Sequence, residues 1–200
     1  MFVHNIIIHN IYAYLDLKTK CVFEQTNSHT CNLTNIGLID CFKHEEMITN
    51  EILCQKKYKN LKKIKVNSNI TDAGISKMRL HTLESEHNSK ITDVGISNMR
   101  LHTLSAFDTP NITDVGILKM RLHTLRAFCN SNITDVGISN MQLHTLDAFL
   151  DSKITDGGIS KMRLHTLGAK YNSNITDVGI SKMRLHTLNG LAIITDVTLS

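Results

Sequence analysis

The sequence is dominated by an internal repeat of 21 residues, and this repeat constrains the fold more than any other feature. Ile-Thr-Asp begins at Ile70, Ile91, Ile112, Ile133, Ile154 and Ile175, and a last Ile194-Thr195-Asp196 arrives two residues early. Leu-His-Thr-Leu begins at Leu80, Leu101, Leu122, Leu143, Leu164 and Leu185. A unit this short cannot bury its own apolar side chains, so the units must stack into a solenoid.

Places within the unit are counted from its first leucine: L-H-T-L-x-A-x-x-(N/T/D)-x-x-I-T-D-x-G-I-x-x-M-(R/Q). The opening L-H-T-L-x-A predicts a short strand with places four and six inward and places three, five and seven outward. The asparagine at place nine is predicted to bond backbone groups of the following turn. The aspartate of Ile-Thr-Asp is predicted to cap a short helix, whose glycine lets neighbouring turns pack closely. Ile and Met three residues apart would form that helix's buried stripe.

This unit resembles the leucine-rich repeat, especially its cysteine-containing subtype, over residues 61–200. The resemblance implies an α/β solenoid with short parallel strands on its concave face. The chain departs from the family pattern in its small residue at place six, its helical Met and its shorter helix-to-strand link. Degenerate units extend upstream through residues 32–60, with a strand at Leu61–Val66 and turn-helix segments at Ile48–Leu53 and Leu33–Leu38.

Residues 1–31 predict a small helical segment, because Ile7, Ile8, Ile11, Tyr12 and Leu15 follow helical spacing. The stretch from Asn10 to Asn27 resembles an F-box, in which the following residues are in register: Ile11, Tyr12, Tyr14, Leu15, Asp16, Leu17, Cys21, Gln25 and Asn27. Val3-His4 stands where the family has Leu-Pro, and Lys20 and Thr30 replace Leu and Trp.

The F-box resemblance implies a substrate-recognition subunit of an SCF-type ubiquitin ligase, a protein that does no chemistry itself. It would bind a Skp-type adaptor of a cullin complex through Val3, Ile7, Ile8, Tyr12, Leu15 and Leu17. The alternatives are a plain helical cap over the first repeat and a leucine-rich-repeat interaction scaffold without a ligase role.

Composition argues against several other functions. The net charge of +4 is only mildly basic, which argues against nucleic-acid binding. The repeat also aligns basic residues in two columns, the histidines of place two and Arg79, Arg100, Arg121, Arg163 and Arg184 at place twenty-one, but no aromatic residues interleave with them, as they would in a single-strand binding surface. The five cysteines lack a Cys-x-x-Cys pair, so no zinc site or other cofactor is predicted. No nucleophile, base and orienting group recur together, and no Gly-rich phosphate loop occurs, so we expect no enzyme. The start lacks a signal peptide and no apolar run is membrane-spanning, which favours a reducing cytoplasmic or nuclear location.

The outward places of the strands predict the target-binding surface. Place three is always Thr, whereas places five and seven vary between units. Three consecutive phenylalanines at place seven predict an exposed aromatic stripe, the kind of patch that marks binding sites. Alternatively, these rings could turn under and fill the space beside the alanine at place six. The predicted target-binding residues are Glu84, Phe107, Arg126, Phe128, Asp147, Phe149 and Tyr171. The histidine at place two is predicted to be a duplicated surface residue, with metal binding or a pH response as the alternative.

Overall fold

The computed structural model describes residues 38–40, 48–54, 58, 60–150 and 152–190. Its strands form one parallel sheet of eight strands in sequence order, so each strand pairs with the strand of the next unit. The strands are β1 Leu38–Asp40, β2 Lys63–Lys65, β3 Thr82–Glu84, β4 Thr103–Ser105, β5 Thr124–Arg126, β6 Thr145–Asp147, β7 Thr166–Gly168 and β8 Thr187–Asn189. From β3 onward the register places Thr beside Thr and Leu beside Leu, which confirms the α/β solenoid predicted from the repeat.

One four-residue helix lies between each pair of consecutive strands from β1 to β8. These helices are α1 Asn50–Leu53, α2 Asp72–Ile75, α3 Asp93–Ile96, α4 Asp114–Ile117, α5 Asp135–Ile138, α6 Asp156–Ile159 and α7 Asp177–Ile180. Each begins after an extended threonine whose hydroxyl accepts a hydrogen bond from a backbone N–H of the first turn, as N-caps do. The prediction that the aspartates cap these helices was therefore wrong, because the preceding threonine is the cap.

The aspartate instead joins its unit to the next one. One oxygen of the Asp93 carboxylate accepts the backbone N–H of Thr113 at 2.7 Å, and the other accepts the Thr113 hydroxyl at 2.6 Å. The same pair of bonds, which we call the Thr–Asp clasp, recurs from Asp72 to Thr92, Asp114 to Thr134, Asp135 to Thr155 and Asp156 to Thr176. Asn50 also makes two bonds to Thr71, but there the amide oxygen accepts the Thr71 N–H and the amide nitrogen donates to the Thr71 hydroxyl. The carboxylate acceptors make the bonds of each clasp stronger than bonds between neutral groups.

The core is a column of side chains contributed at the same places of every unit. The leucines of places one and four, the isoleucines of places twelve and seventeen and the methionine of place twenty are buried from Leu80 to Leu167. Place six points inward as predicted, since Ala106, Ala127, Ala148 and Ala169 are fully buried. Burying large apolar side chains contributes about 1.5–3 kcal/mol each, which is why stacking stabilises units that could not fold alone.

Buried asparagines at place nine close the turns after β3, β5 and β7, as the sequence predicted. The amide of Asn130 donates to the carbonyls of Ala106, Thr109 and Ile112, all in the preceding unit. Asn88 and Asn172 make equivalent bonds. Thr109 occupies the same place in its unit. Its hydroxyl is buried and finds no hydrogen-bond partner among the described residues.

We expect Thr109→Asn to stabilise the protein. By the spacing of the bonds that Asn130 makes, the new amide would reach the carbonyls of Ser85, Asn88 and Ile91 and replace an unsatisfied hydroxyl. A net gain of about 1 kcal/mol in the free energy of unfolding follows from the usual value of a buried hydrogen bond. Urea denaturation of the two proteins measures it, and a variant that is less stable than the parent would contradict the inferred geometry.

The upstream segments match the repeat in part. The strand predicted at Leu61–Val66 is confirmed by β2, and the turn-helix predicted at Ile48–Leu53 is confirmed by α1. Leu38, predicted to end a turn-helix segment, instead begins β1, which pairs with β2. The rest of that segment and the whole F-box-like segment, residues 1–31, lie outside the described residues.

Candidate protein-binding surface

A row of aromatic rings crosses the outward face of the sheet at its middle units. The rings of Phe107 and Phe128 are stacked, with centroids 3.9 Å apart and planes 20° apart. Phe149 continues the row edge-on, 5.9 Å from Phe128. His87 extends it at the other end, 4.3 Å from Phe107. We call these four residues the aromatic row.

The backbone at place eight accounts for the presence of His87, which the sequence analysis missed. Place eight adopts a left-handed conformation in five consecutive units, at His87, Asp108, Cys129, Leu150 and Tyr171. Non-glycine residues seldom adopt a positive φ, so no simple sequence signal marks this turn. It carries the chain out of the strand and directs the His87 ring against Phe107.

The three phenylalanines are half-buried. They are therefore neither a fully exposed stripe nor rings turned under into the core, the two arrangements that the sequence allowed. The ring of Phe149 lies over Gly168, where a Cβ would come 2.6 Å from the phenyl Cζ and 2.6 Å from a carboxylate oxygen of Asp147. Gly168 therefore makes the space that holds Phe149 and Asp147 side by side. In the sequence, Gly168 is distinguished only as one of the variable residues at place five.

Charged side chains at place five lie beside the aromatic row. Arg126 and Asp147, from adjacent strands, form an ion pair with an N–O distance of 3.3 Å. Burial raises the pKa of the Asp147 carboxyl, and the Arg126 charge opposes that effect. Arg126 therefore helps to keep a largely buried carboxylate ionised next to Phe149.

The remaining predicted target-binding residues lie apart from this group. Glu84 pairs with Lys63 at 2.7 Å across β2 and β3, and Glu86 pairs with Lys65 at 3.0 Å. These pairs make the amino-terminal end of the sheet face ionic. Tyr171 is 67% exposed at place eight, with the Lys170 ammonium 5.0 Å from its ring, and no described contact joins it to the aromatic row. The structure thus brings together Phe107, Phe128, Phe149, Arg126 and Asp147.

The place-two histidines form a second row, beside the start of each strand. Six imidazoles from His81 to His186 are stacked with centroid distances of 4.5–4.7 Å. In five of them Nδ1 lies 3.3–3.4 Å from the hydroxyl of the next residue, a threonine. Desolvation, and then the charge of the adjacent rings, lowers the pKa of His102 and of His165. Stacking therefore favours the neutral form of His102 and His165.

We expect the melting temperature to fall as the pH is lowered from 7.5 to 5.5. A histidine whose pKa is lower in the folded state takes up more protons when unfolded, so its stabilising contribution is full above the ordinary imidazole pKa and is lost below it. Calorimetry should show a smaller fall for the double variant His102→Gln, His165→Gln, and an unchanged pH dependence would contradict the role of the stack.

Two negative findings concern the described residues. They contain no group of three or more His, Cys, Asp or Glu side chains arranged to hold a metal ion. None of their helices reaches the length and hydropathy that a bilayer span requires.

No family model matches this chain, and no curated protein matches it significantly. The likeness to leucine-rich repeats therefore depends on the 21-residue unit and on the parallel strand-and-helix architecture that this unit forms.

Proposed function

We propose that this chain is the substrate-recognition subunit of an SCF-type ubiquitin ligase, and that it binds a protein target through the aromatic row. The target-binding part of the proposal is supported by the row of Phe107, Phe128 and Phe149 on the outward sheet face, in which the first two rings are stacked and the third is edge-on. Aromatic residues, Phe among them, and Arg are enriched at protein interfaces relative to the rest of the surface. In this proposal the chain performs no chemistry and works in the cytoplasm or nucleus.

The aromatic row has the form of a docking site for an extended protein segment. Apolar area is concentrated in the middle units, with a lysine–glutamate region at one end of the face and the Arg126–Asp147 pair beside it. An apolar centre with charged surroundings supplies affinity at the centre and orientation at the rim. The charged pair would fix the direction of the bound segment along the sheet.

The ligase half of the proposal depends on the resemblance of residues 10–27 to an F-box. A Skp-type adaptor would bind Val3, Ile7, Ile8, Tyr12, Leu15 and Leu17. The alternative is an interaction scaffold that shares the target-binding surface but has no adaptor. Both proposals use the same sheet face for target binding, so they differ only in whether the chain binds a Skp-type adaptor.

Co-purification with a Skp-type adaptor tests the ligase half. The full chain should retain the adaptor, and Tyr12→Ala combined with Leu15→Ala should abolish the interaction. Phe128→Ala is the matched control, since it alters the solenoid and should leave adaptor binding unchanged. A full chain that never retains the adaptor would favour the scaffold.

Phe128→Ala also tests the target-binding half. Truncating an aromatic anchor costs 2 kcal/mol or more in binding, or at least about thirtyfold in Kd. Proteins captured from native cells by the parent chain should therefore be lost with Phe128→Ala and kept with Val115→Ala, an exposed valine on α4 that is 77% accessible. The melting curve of the same variant supplies the check on folding. A loss of about 3–5 kcal/mol in stability would identify the ring as core and remove the docking site.

A further inference from the structure

The edge of the solenoid where helices lead into strands carries a strip of positive charge. At each of the six helix-to-strand junctions, places nineteen and twenty-one of one unit and place two of the next bring Lys or Asn, Arg or Gln, and His to this edge. We call it the basic edge; its nine cations, all exposed, are Lys77, Arg79, Arg100, Lys119, Arg121, Lys161, Arg163, Lys182 and Arg184. Among the described residues, none of these nine forms a salt bridge.

The net charge of the chain is smaller than the charge of this strip. The net charge is +4, so with nine positive charges on one edge the rest of the chain carries a net −5. No Asp or Glu occurs in the six helix-to-strand segments that form the edge, from residues 76–82 to residues 181–187. The carboxylates at the helix starts are mostly engaged by the threonines of the Thr–Asp clasps.

Consecutive units enclose open grooves along this edge. One groove, of about 590 Å³, is lined by His81, Arg100, His102, Lys119 and Arg121, with buried Met99 and Met120 as its floor. A second, of about 650 Å³, continues it toward Lys62 and Arg79. Arg, Lys and His of adjacent units therefore face the same space, and a ligand lying along the edge would meet several cations at once.

We propose that the basic edge binds the phosphate backbone of a single-stranded nucleic acid without reading its sequence. The six histidine rings rise 4.5–4.7 Å per unit, so nine cations over six units give roughly one positive charge per 3 Å. A single strand of nucleic acid carries one negative charge per nucleotide, so its backbone is a linear polyanion that matches this line of cations in sign and form. The planar guanidinium group of arginine binds phosphate oxygens through two N–H groups at once.

The side chains that project from the edge favour nucleic acid over an acidic protein segment. Apart from Leu118 they are mostly Lys, Arg, Asn and His, and the apolar area of the grooves comes from methionines and leucines on the groove floor, whereas protein interfaces depend on projecting apolar anchors. The histidine faces are already stacked on one another, so bases find no free ring to stack on between units. Binding would therefore be electrostatic, strongly dependent on salt and indifferent to sequence.

Fluorescence anisotropy with a labelled single-stranded oligonucleotide of mixed sequence and about 20 nucleotides tests the proposal on the full chain. The triple variant Arg100→Gln, Arg121→Gln, Arg163→Gln should bind at least tenfold more weakly in low salt. Its slope of log affinity against log salt should be shallower by about 2, since each single-strand phosphate contact contributes about 0.7. Gln142 already occupies the arginine place of one unit, so the fold accommodates the substitution. Gln142→Arg should do the opposite, tightening binding and steepening the slope.

The matched control removes three charges away from the edge, by Lys90→Gln, Lys153→Gln and Lys170→Gln, and should change the affinity less than threefold. An equal loss in both triple variants would show a non-specific effect of net charge and overturn the site. Failure to bind the oligonucleotide at low salt, or equal binding of polyglutamate, would overturn the nucleic-acid assignment. Preference for a duplex of the same length would overturn the single-strand assignment.

Discussion

Gly158→Ala should destabilise the protein by about 2–4 kcal/mol, because its methyl group would occupy the position of the Asp135 carboxylate. A Cβ at Gly158 would overlap a carboxylate oxygen of Asp135 and lie 2.7 Å from its Cγ. That carboxylate forms the clasp with Thr155, at 2.8 Å to the N–H and 2.6 Å to the hydroxyl. The chain must either separate the two units or break both charge-assisted bonds.

The adjacent residue supplies a matched control. A Cβ at Gly157 would lie 3.4 Å from the Thr155 hydroxyl and 3.5 Å from the Asp135 carboxylate, distances of ordinary contact. Four other units place Val at the equivalent position, as at Val136. Gly157→Ala should therefore stabilise the helix by about 0.5–1 kcal/mol, the usual difference between alanine and glycine.

Denaturant unfolding of both variants, and of Gly158→Ala combined with Asp135→Ala, measures these effects. The double variant removes both the methyl clash and the clasp, so it should be more stable than the sum of the two single losses predicts. Additive losses, or a Gly158→Ala variant as stable as Gly157→Ala, would show that the close approach of the two units is not what requires glycine.

Asn130→Ala should cost about 3–5 kcal/mol of stability. The side-chain amide donates to the carbonyls of Ala106, Thr109 and Ile112 at 3.0–3.3 Å, and its oxygen accepts the N–H of Asn132 at 3.0 Å. Removing it leaves buried backbone groups without a partner, each costing about 1–3 kcal/mol. Water cannot replace the bonds without entering the core between two units.

Asn132→Ala is the control for this prediction. Its amide also donates to a backbone carbonyl, that of Pro110 at 2.7 Å, but both groups are exposed and can bond water instead. We expect a loss below about 1 kcal/mol, since exposed hydrogen bonds contribute little net stability. Urea denaturation of the two variants compares the loss of an asparagine side chain at a buried position with the same loss at an exposed position. Equal losses would mean that burial does not determine how much the asparagines of place nine contribute to stability.

The sequence by itself determined the fold class and most of the core. The 21-residue period fixes which residues superpose from unit to unit, and the alternation of Leu104 and Ala106 fixes which places face inward. Because each unit can bury its apolar side chains only against identical neighbours, stacking follows from the period alone. The buried asparagines and the middle phenylalanines were predicted for the same reason, because residues at the same place of different units have the same surroundings.

Only the tertiary structure decided which groups from different units meet. Thr113 and Asp114 are adjacent and both suit a helix cap, so local rules could not assign the cap to Thr113 and the clasp with Thr134 to Asp114. The left-handed backbone at place eight brings His87 onto Phe107, and no glycine marks that turn. The repeat indicated a column of arginines at place twenty-one, but only the structure shows that Lys119 of place nineteen faces the same groove as Arg100 and Arg121. Stacking aligns equivalent cations at less than 5 Å per unit, which turns scattered basic residues into one continuous strip.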